Sequence, residues 1–296
     1  MNPFTRVRSL AHIALIMALG SGITGCAARK SALIWASRPL MEGAMASLMA
    51  ETDLDLARTG MEAELKILEG LLEVDPNDRA YLSLAMKGFA GYALLFVEDD
   101  DPKRAKVMYE RARIYGFRLL RQGDPDIING KSDYARFQRF LKELKPADLE
   151  AVYWTATAWA GRINIDLESP AAIAALPKVT AMMSWVMERD SSFFFSGPQW
   201  FFAVYYCNLP ALMGGGATKS QPFFERAMST DGNRFLLGKF LYAKTYAVQT
   251  LDRELFVTLL TEVMKGNPNA PRELGLINKV AQKKAEFLLS KADTLF

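Results

Sequence analysis

The chain has 296 residues, half of them hydrophobic, with 36 Lys and Arg against 33 Asp and Glu. That length suits one large domain or two small ones, and the apolar content supports a sizeable core. The near balance of charge leaves no basic field of the kind that holds nucleic acid.

Residues 1–26 read as a processing segment. Arg6 and Arg8 form a positive start, Ala11 to Leu19 a short apolar run, and Ile23-Thr24-Gly25-Cys26 the end. The last four resemble the lipobox of a bacterial lipoprotein, although Ile23 and Thr24 depart from its commonest residues. A small residue before Cys26 admits the peptidase, and the thiol carries the diacylglyceryl group. The apolar run falls short of the roughly 18 residues that a membrane span needs. Cleavage removes Arg6 and Arg8, leaving a formal charge of +1, and removes His12, the only histidine. A mature chain without histidine has no Ser-His-Asp triad and no histidine metal site. Acylation of Cys26 leaves Cys207 alone, so no disulfide forms within the chain and no zinc site of the usual kind. Two or three acyl chains, each contributing about 0.8 kcal/mol per buried CH₂, keep a lipoprotein on its membrane. Ala27 after the cysteine points to the outer membrane by the enterobacterial sorting rule.

Residues 27–296 are expected to form one all-helical domain. Leu40, Ala44, Met45, Leu48 and Met49 predict a helix from about Pro39. Thr52 or Asp53 caps a second, through Leu54, Ala57, Met61, Leu65, Leu68 and Leu72, which stops at Val74-Asp75-Pro76. Tyr81 to Val97 follows. The charge run Glu98 to Asp101 is conceivable as a metal site, but a solvated turn with Asp101 as N-cap and Pro102 in first position is the commoner use. Lys103–Leu120 is amphipathic, Gly123–Ser132 a loop and Asp133–Leu144 a short basic helix. Helices are expected over Leu149–Leu167 and from Ser169-Pro170 to Glu188, with Pro177 a candidate break. After the central aromatic stretch come Lys219–Met228, Phe235–Gln249, Asp252–Met264 and Pro271–Ala292. No segment alternates with period two, so the fold class is all-α.

An internal repeat is visible. Leu72 to Asp75 opens a helix pair reaching Tyr109-Glu110-Arg111-Ala112; Val186 to Asp190 opens another reaching Phe224-Glu225-Arg226-Ala227. The spacing from Asp75 to Tyr109 equals that from Asp190 to Phe224, and both match the tetratricopeptide period of about 34 residues. Such pairs bury their faces only by stacking, which predicts an α-solenoid of tetratricopeptide-like hairpins with a concave side.

The most distinctive stretch is Phe193 to Gly216. Pro198 suits a first helical turn, and from Trp200 to Cys207 apolar residues face every direction. Asn208-Leu209-Pro210 ends the helix before Gly214-Gly215-Gly216. Such a helix is either the core of the fold or the wall of a pocket for an apolar ligand; core is the commoner use of an aromatic run. A second patch is Tyr153 to Asn164, where Trp154, Ala158 and Gly161 share a face, so the Trp either packs or leaves room for ligand. Arg162 and Asn164 need partners if buried. No phosphate loop or dinucleotide fingerprint occurs, and no spacing singles out a pair of catalytic carboxylates.

Several of these motifs together resemble the TRAP transporter T-component lipoproteins. They are Gly91-Tyr92, Phe96 to Asp99, Asp101-Pro102, Arg104-Ala105, Trp154 to Asn164, Ser196 to Tyr206, Leu209-Pro210, Met213 to Gly215, Phe224 to Ala227 and Lys239 to Phe256, in order across about residues 40–265. The chain departs from the pattern at Gly216 to Lys219, where relatives carry an acidic residue and a Lys-Ala pair. The resemblance implies a periplasmic, tetratricopeptide-like, non-enzymatic protein that assembles as a trimer, needs no cofactor and works beside a TRAP-type solute-binding receptor. It also implies passage of a hydrophobic or organic-acid ligand. The residues expected to line that cavity are Trp154, Trp159, Trp200, Phe201, Tyr205, Tyr206 and Met213. The rival expectation is a tetratricopeptide-like scaffold for envelope assembly that binds peptides in its concave face.

Overall fold

Short polar side chains set most of the helix starts. In a computed structural model that describes residues 34–120 and 124–296, helix α1 covers 34–49. The signal segment and Cys26 lie outside the described residues. Asp53 accepts from the backbone N–H groups of Asp55 and Leu56 and caps α2 (Leu54–Val74). Asp78 does the same for α3 (Arg79–Tyr92), and Asp101 with Pro102 for α4 (Pro102–Leu119). Each such cap contributes about 1 kcal/mol. Then come α5 (Pro125–Ile128), α6 (Tyr134–Glu143), α7 (Leu149–Asn164) and α8 (Pro170–Arg189). The chain continues through α9 (Phe193–Asn208), α10 (Ala217–Asp231), α11 (Leu236–Tyr242), α12 (Arg253–Lys265), α13 (Gly275–Leu289) and α14 (Ala292–Leu295). There is no strand among the described residues, and the fold is all-α.

Three local expectations need correction. Helix α1 already includes residue 34, ahead of the expected start near Pro39, and Ile34 is buried with its carbonyl accepting from Tyr81 Oη at 2.6 Å. The expected loop 123–132 contains α5, capped by Asp124. Pro177 does not break α8, which runs on through it to Arg189 with the Pro177 ring exposed.

Helix α4 packs on α3 and on α7, and glycines set how closely it meets α7. Gly116 of α4 lets Thr155 of α7 approach its backbone. Gly161 of α7 accepts the ring of Tyr109, which fills the room the sequence left open beside it. Arg162 pairs with Glu110 at 3.0 Å. The buried Arg113 donates to Glu110 and to the Ile128 carbonyl, so its charge is satisfied within the core. The acidic run is dispersed rather than clustered. Glu98 accepts from Tyr109 Oη at 2.7 Å, Asp99 pairs with Lys284 at 2.8 Å, Asp100 with Arg58 at 3.2 Å, and Asp101 caps α4.

The C-terminal helices return to the start of the chain. Helix α13 packs on α2, α11 and α12. Its Lys284 reaches the Leu94 carbonyl at 3.2 Å, beyond the end of α3. Its Asn278, fully buried, accepts from the Leu236 N–H and donates to the Arg234 and Pro268 carbonyls.

Two helices pass through a π turn, one at Ala93–Val97 after α3 and one at Ala243–Ala247 after α11. Single π turns inside helices are frequent at functional sites, because the extra residue frees a carbonyl and re-aims side chains.

Candidate functional site

The aromatic stretch begins with an uncommon piece of backbone. Phe194, Phe195 and Ser196 have φ of 44°, 55° and 61°, so three consecutive side-chain-bearing residues are left-handed. Each costs roughly 1–2 kcal/mol, and such a turn persists only where its surroundings over-determine it. Here they do. Ser196 Oγ donates to the buried Asp231 carboxylate at 2.6 Å, and Trp200 Nε1 donates to the Phe195 carbonyl at 2.9 Å. Arg234 pairs with Asp231 at 3.2 Å and lies over the Phe195 ring. The Phe195 and Phe235 rings stack, 11° from parallel. Gly197 next to the turn has no side chain, and the Tyr153 ring occupies the space a Cβ would need. The right-handed helix resumes there, with Pro198 in its first turn as its missing N–H allows.

From this turn α9 runs to Asn208 and presents three faces. Trp200, Ala203 and Cys207 are buried against the body, and the Trp200 indole fits against Gly238 of α11. Phe202 and Tyr206 meet Phe223 of α10, with ring centroids 5.8 and 5.4 Å away. Phe201, Val204 and Asn208 form the third stripe, half-buried to exposed.

A groove of about 460 Å³ lies along that third stripe. Val204, Cys207 and Asn208 of α9 form one wall, and Leu241, Lys244, Thr245, Val248 and Gln249 of the π-turn segment form the other. Asn164, the last residue of α7, closes the end. Its size falls within the usual range for small-molecule sites. Gln249 ties the walls together: its Oε1 accepts from Cys207 Sγ and its Nε2 donates to the Cys207 carbonyl, both at 2.8 Å. Burial pushes the Cys207 thiol upward, which keeps it protonated and able to donate. Thr245 Oγ1 donates to the Leu241 carbonyl at 2.7 Å, the usual bond of a helical threonine back to the residue four before it.

The groove has an apolar floor of Val204, Leu241 and Val248, with polar groups at its rim. Lys244 is exposed there, with no carboxylate partner among the described residues. Asn164 and Asn208, both exposed, stand with it. One cation and several amides over an aliphatic floor can hold an amphipathic anion by charge-assisted hydrogen bonds above and dispersion below.

None of the seven residues expected to line a cavity bounds this groove. Phe201 continues the groove-facing stripe of α9 one turn earlier, and Tyr205 stacks on it with rings 4° from parallel. Tyr206 lies further round, under Lys219. Burial raises the Tyr205 hydroxyl above its usual range. Trp154 is half-buried and meets Phe194 edge-on at 4.7 Å, at the far end of α7 from Asn164. Trp159 is buried between Phe117, Phe137 and Arg113, and Trp200 is buried as described. Met213 is 68% exposed beside a fully exposed Leu212, on the turn Ala211–Met213.

The groove residues that sequence reasoning missed had a signal. Lys244, Thr245 and Gln249 interrupt an otherwise apolar helical period, and Asn164 and Asn208 each end a helix. No match to the chain occurs among curated proteins. The sequence model of one family does match, over residues 50–296, and its description is TRAP transporter T-component. That span includes the left-handed turn, both π turns and every residue of the groove, and the chain therefore belongs to the TRAP transporter T-component family.

Proposed function

We propose that this protein is a lipid-anchored periplasmic T-component that binds the solute receptor of a TRAP uptake system and takes a small amphipathic anion into its groove. Family membership supports the accessory role in a TRAP system, and the family is one of transporter components rather than of enzymes. The observation that carries the ligand part is Lys244, exposed at the rim of an aliphatic groove and in no ion pair among the described residues. A carboxylate on a short apolar chain satisfies both halves of that site. Trp154, Phe201, Tyr205 and Tyr206 then serve as the aromatic flank along which an apolar portion lies. Trp159 and Trp200 hold the scaffold, and Leu212 with Met213 offers an apolar tip to the receptor. Anchoring through Cys26, assembly as a trimer and residence at the outer membrane complete this reading.

The test has two arms. Full-length protein isolated from its native envelope is expected to bring a TRAP solute receptor with it, and Leu212→Asp to weaken that association. Calorimetry with medium-chain carboxylates is expected to give binding that falls about tenfold or more in Lys244→Leu, the loss of one charge-assisted contact. Association without any ligand binding would leave a scaffold of the envelope. Ligand binding without a receptor would remove the uptake role.

A further inference from the structure

The end of the molecule from which the anchoring segment emerges is built to touch a surface. Helix α1 is pinned there by its first turns. The Ile34 carbonyl accepts from Tyr81 Oη, Ser37 Oγ bonds the same hydroxyl at 2.6 Å, and Arg38 pairs with Asp78, the N-cap of α3. With that orientation set, the outward residues are Trp35, Ala36, Pro39 and Leu40, all exposed and all apolar. Trp35 is 70% and Leu40 72% exposed, whereas large apolar side chains at a finished protein surface are normally scattered singly. Val74, 52% exposed, ends α2 four residues before Asp78 and so belongs to the same pole. Arg79 and Arg118 bind the Leu119 and Pro76 carbonyls and bring the end of α4 to it. Among the described residues, the charges brought to this pole include the guanidinium groups of Arg38, Arg79 and Arg118 and the carboxylates of Asp78 and Asp148, the last 3.9 Å from Arg79.

We infer that this pole, with Trp35 and Leu40 at its centre, rests in the headgroup region of the membrane that carries the lipid anchor. The inference depends on the reading of Cys26 as the acylated residue, and it goes beyond anchoring by assigning the face that meets the bilayer. Eight residue steps separate Cys26 from Ile34, so the fully extended tether spans at most about 29 Å. Helix α3 with its π turn spans 19 residues from Arg79 to Val97, or about 28 Å at 1.5 Å per residue. The opposite end of the body meets the bilayer only with the tether stretched along that whole length. A Trp and a Leu flanked by Arg, beside the point of attachment, match the composition of interfacial anchors. A bilayer supplies the apolar contact that no other described residue provides to these side chains.

The test labels single cysteines with an environment-sensitive fluorophore in a Cys207→Ala background. Trp35→Cys and Leu40→Cys probe the pole, and Phe287→Cys is the control. Phe287 is exposed on α13 next to Lys284, which binds the far end of α3. Acylated protein is reconstituted into phosphatidylcholine–phosphatidylglycerol vesicles carrying nitroxide-labelled lipid. Labels at 35 and 40 are expected to shift to the blue and be quenched, and the label at 287 to remain as in water. Vesicle-bound protein whose three labels are equally unquenched, or equally quenched, overturns the inference. A parallel sample begins at residue 27 with an N-terminal hexahistidine and binds nickel-chelating vesicles. If mass measurement shows Cys26 without lipid, the anchor reading fails separately, and quenching in this second sample decides the orientation of the pole.

Discussion

The two π turns are the same backbone device in opposite surroundings. Gly88 and Gly238 each lie five residues before the alanine that opens the turn, and Tyr92-Ala93 corresponds to Tyr242-Ala243. Asp101 and Asp252 then cap the helices that follow. The first turn is sealed. Leu95, Phe96 and Val97 are buried, and Glu98 is held by Tyr109 and Lys284. The second is open, because Lys244 and Thr245 stand where the first has Leu94 and Leu95, and Val248 and Gln249 stand where it has Glu98 and Asp99. The backbone widens by one residue in both places. Whether that makes a closed joint or an open groove depends on whether apolar residues fill the opening.

Substitutions at equivalent positions test this contrast, and the largest difference is expected at the glycines. A Cβ at Gly238 would overlap the rigid Trp200 indole, so Gly238→Ala is expected to cost about 3 kcal/mol in urea unfolding. At Gly88 the obstacles are the mobile ends of Leu65 and Met45, and the gain in helix propensity offsets them. Gly88→Ala is therefore expected to stay within about 1 kcal/mol of the parent. Equal losses at both sites would refute the correspondence.

The seal of the first turn comes next. Glu98→Ala leaves the buried Tyr109 hydroxyl without an acceptor and is expected to cost about 2 kcal/mol by the same measurement. Burial and Glu98 together hold Tyr109 well above the usual tyrosine range, so the phenol is neutral at all working pH. Val248→Ala at the matching position of the open turn is expected to cost less than about 1 kcal/mol, since Val248 is only half-buried.

Stability also depends on pH through one buried carboxyl group. Glu64 of α2 is buried, neither of its carboxylate oxygens has a hydrogen-bond partner, and burial raises its pKa from 4.5 to about 7. A carboxyl group whose folded value lies above its unfolded one favours the fold only while protonated. Its contribution is complete below about pH 4.5 and is lost as pH rises through about 7. Glu64→Gln should match the parent at pH 4 and exceed it by about 2 kcal/mol at pH 8. A pH-independent difference in melting temperature would show that Glu64 is not the group responsible.

The smallest stability effect, and the most pointed functional one, is expected from giving the open turn the residues of the closed one. Lys244→Leu with Thr245→Leu recreates the Leu94-Leu95 pair. Lys244 is exposed and makes no ion pair among the described residues, so stability should move by less than about 0.5 kcal/mol. Carboxylate binding measured by calorimetry should disappear. Retained binding would locate the ligand elsewhere along α9.

Helix class, helix order and most boundaries were legible because they are local. Asp53, Asp101-Pro102 and Ser169-Pro170 cap their helices where the pattern predicts, and Asp75 and Asp190, paired by the 34-residue period, are both C-caps. The aromatic weight of α9 was legible too, but its division among faces was not. Ring count along a helix does not say which rings meet glycine, and Gly238 is what draws Trp200 inward. The correspondence between the two π turns escaped notice because the shared residues are few, and their spacing becomes meaningful only once the backbone widens.

The amino-acid sequence by itself determined an all-α chain of capped, amphipathic helices, a family, and a central segment too apolar to stand in water. These follow from hydrogen bonding and periodicity within a few residues of each position. Tertiary structure alone decided that Phe194 to Ser196 turn left-handed, that Asn164, Val204 and Lys244 share a groove, and that Trp35 and Leu40 remain uncovered. Each of those outcomes depends on which distant side chain fills or leaves a space. The Ser196–Asp231 bond, the Trp200–Gly238 fit and the Tyr81–Ile34 contact join residues more than 30 positions apart, and no local preference encodes them.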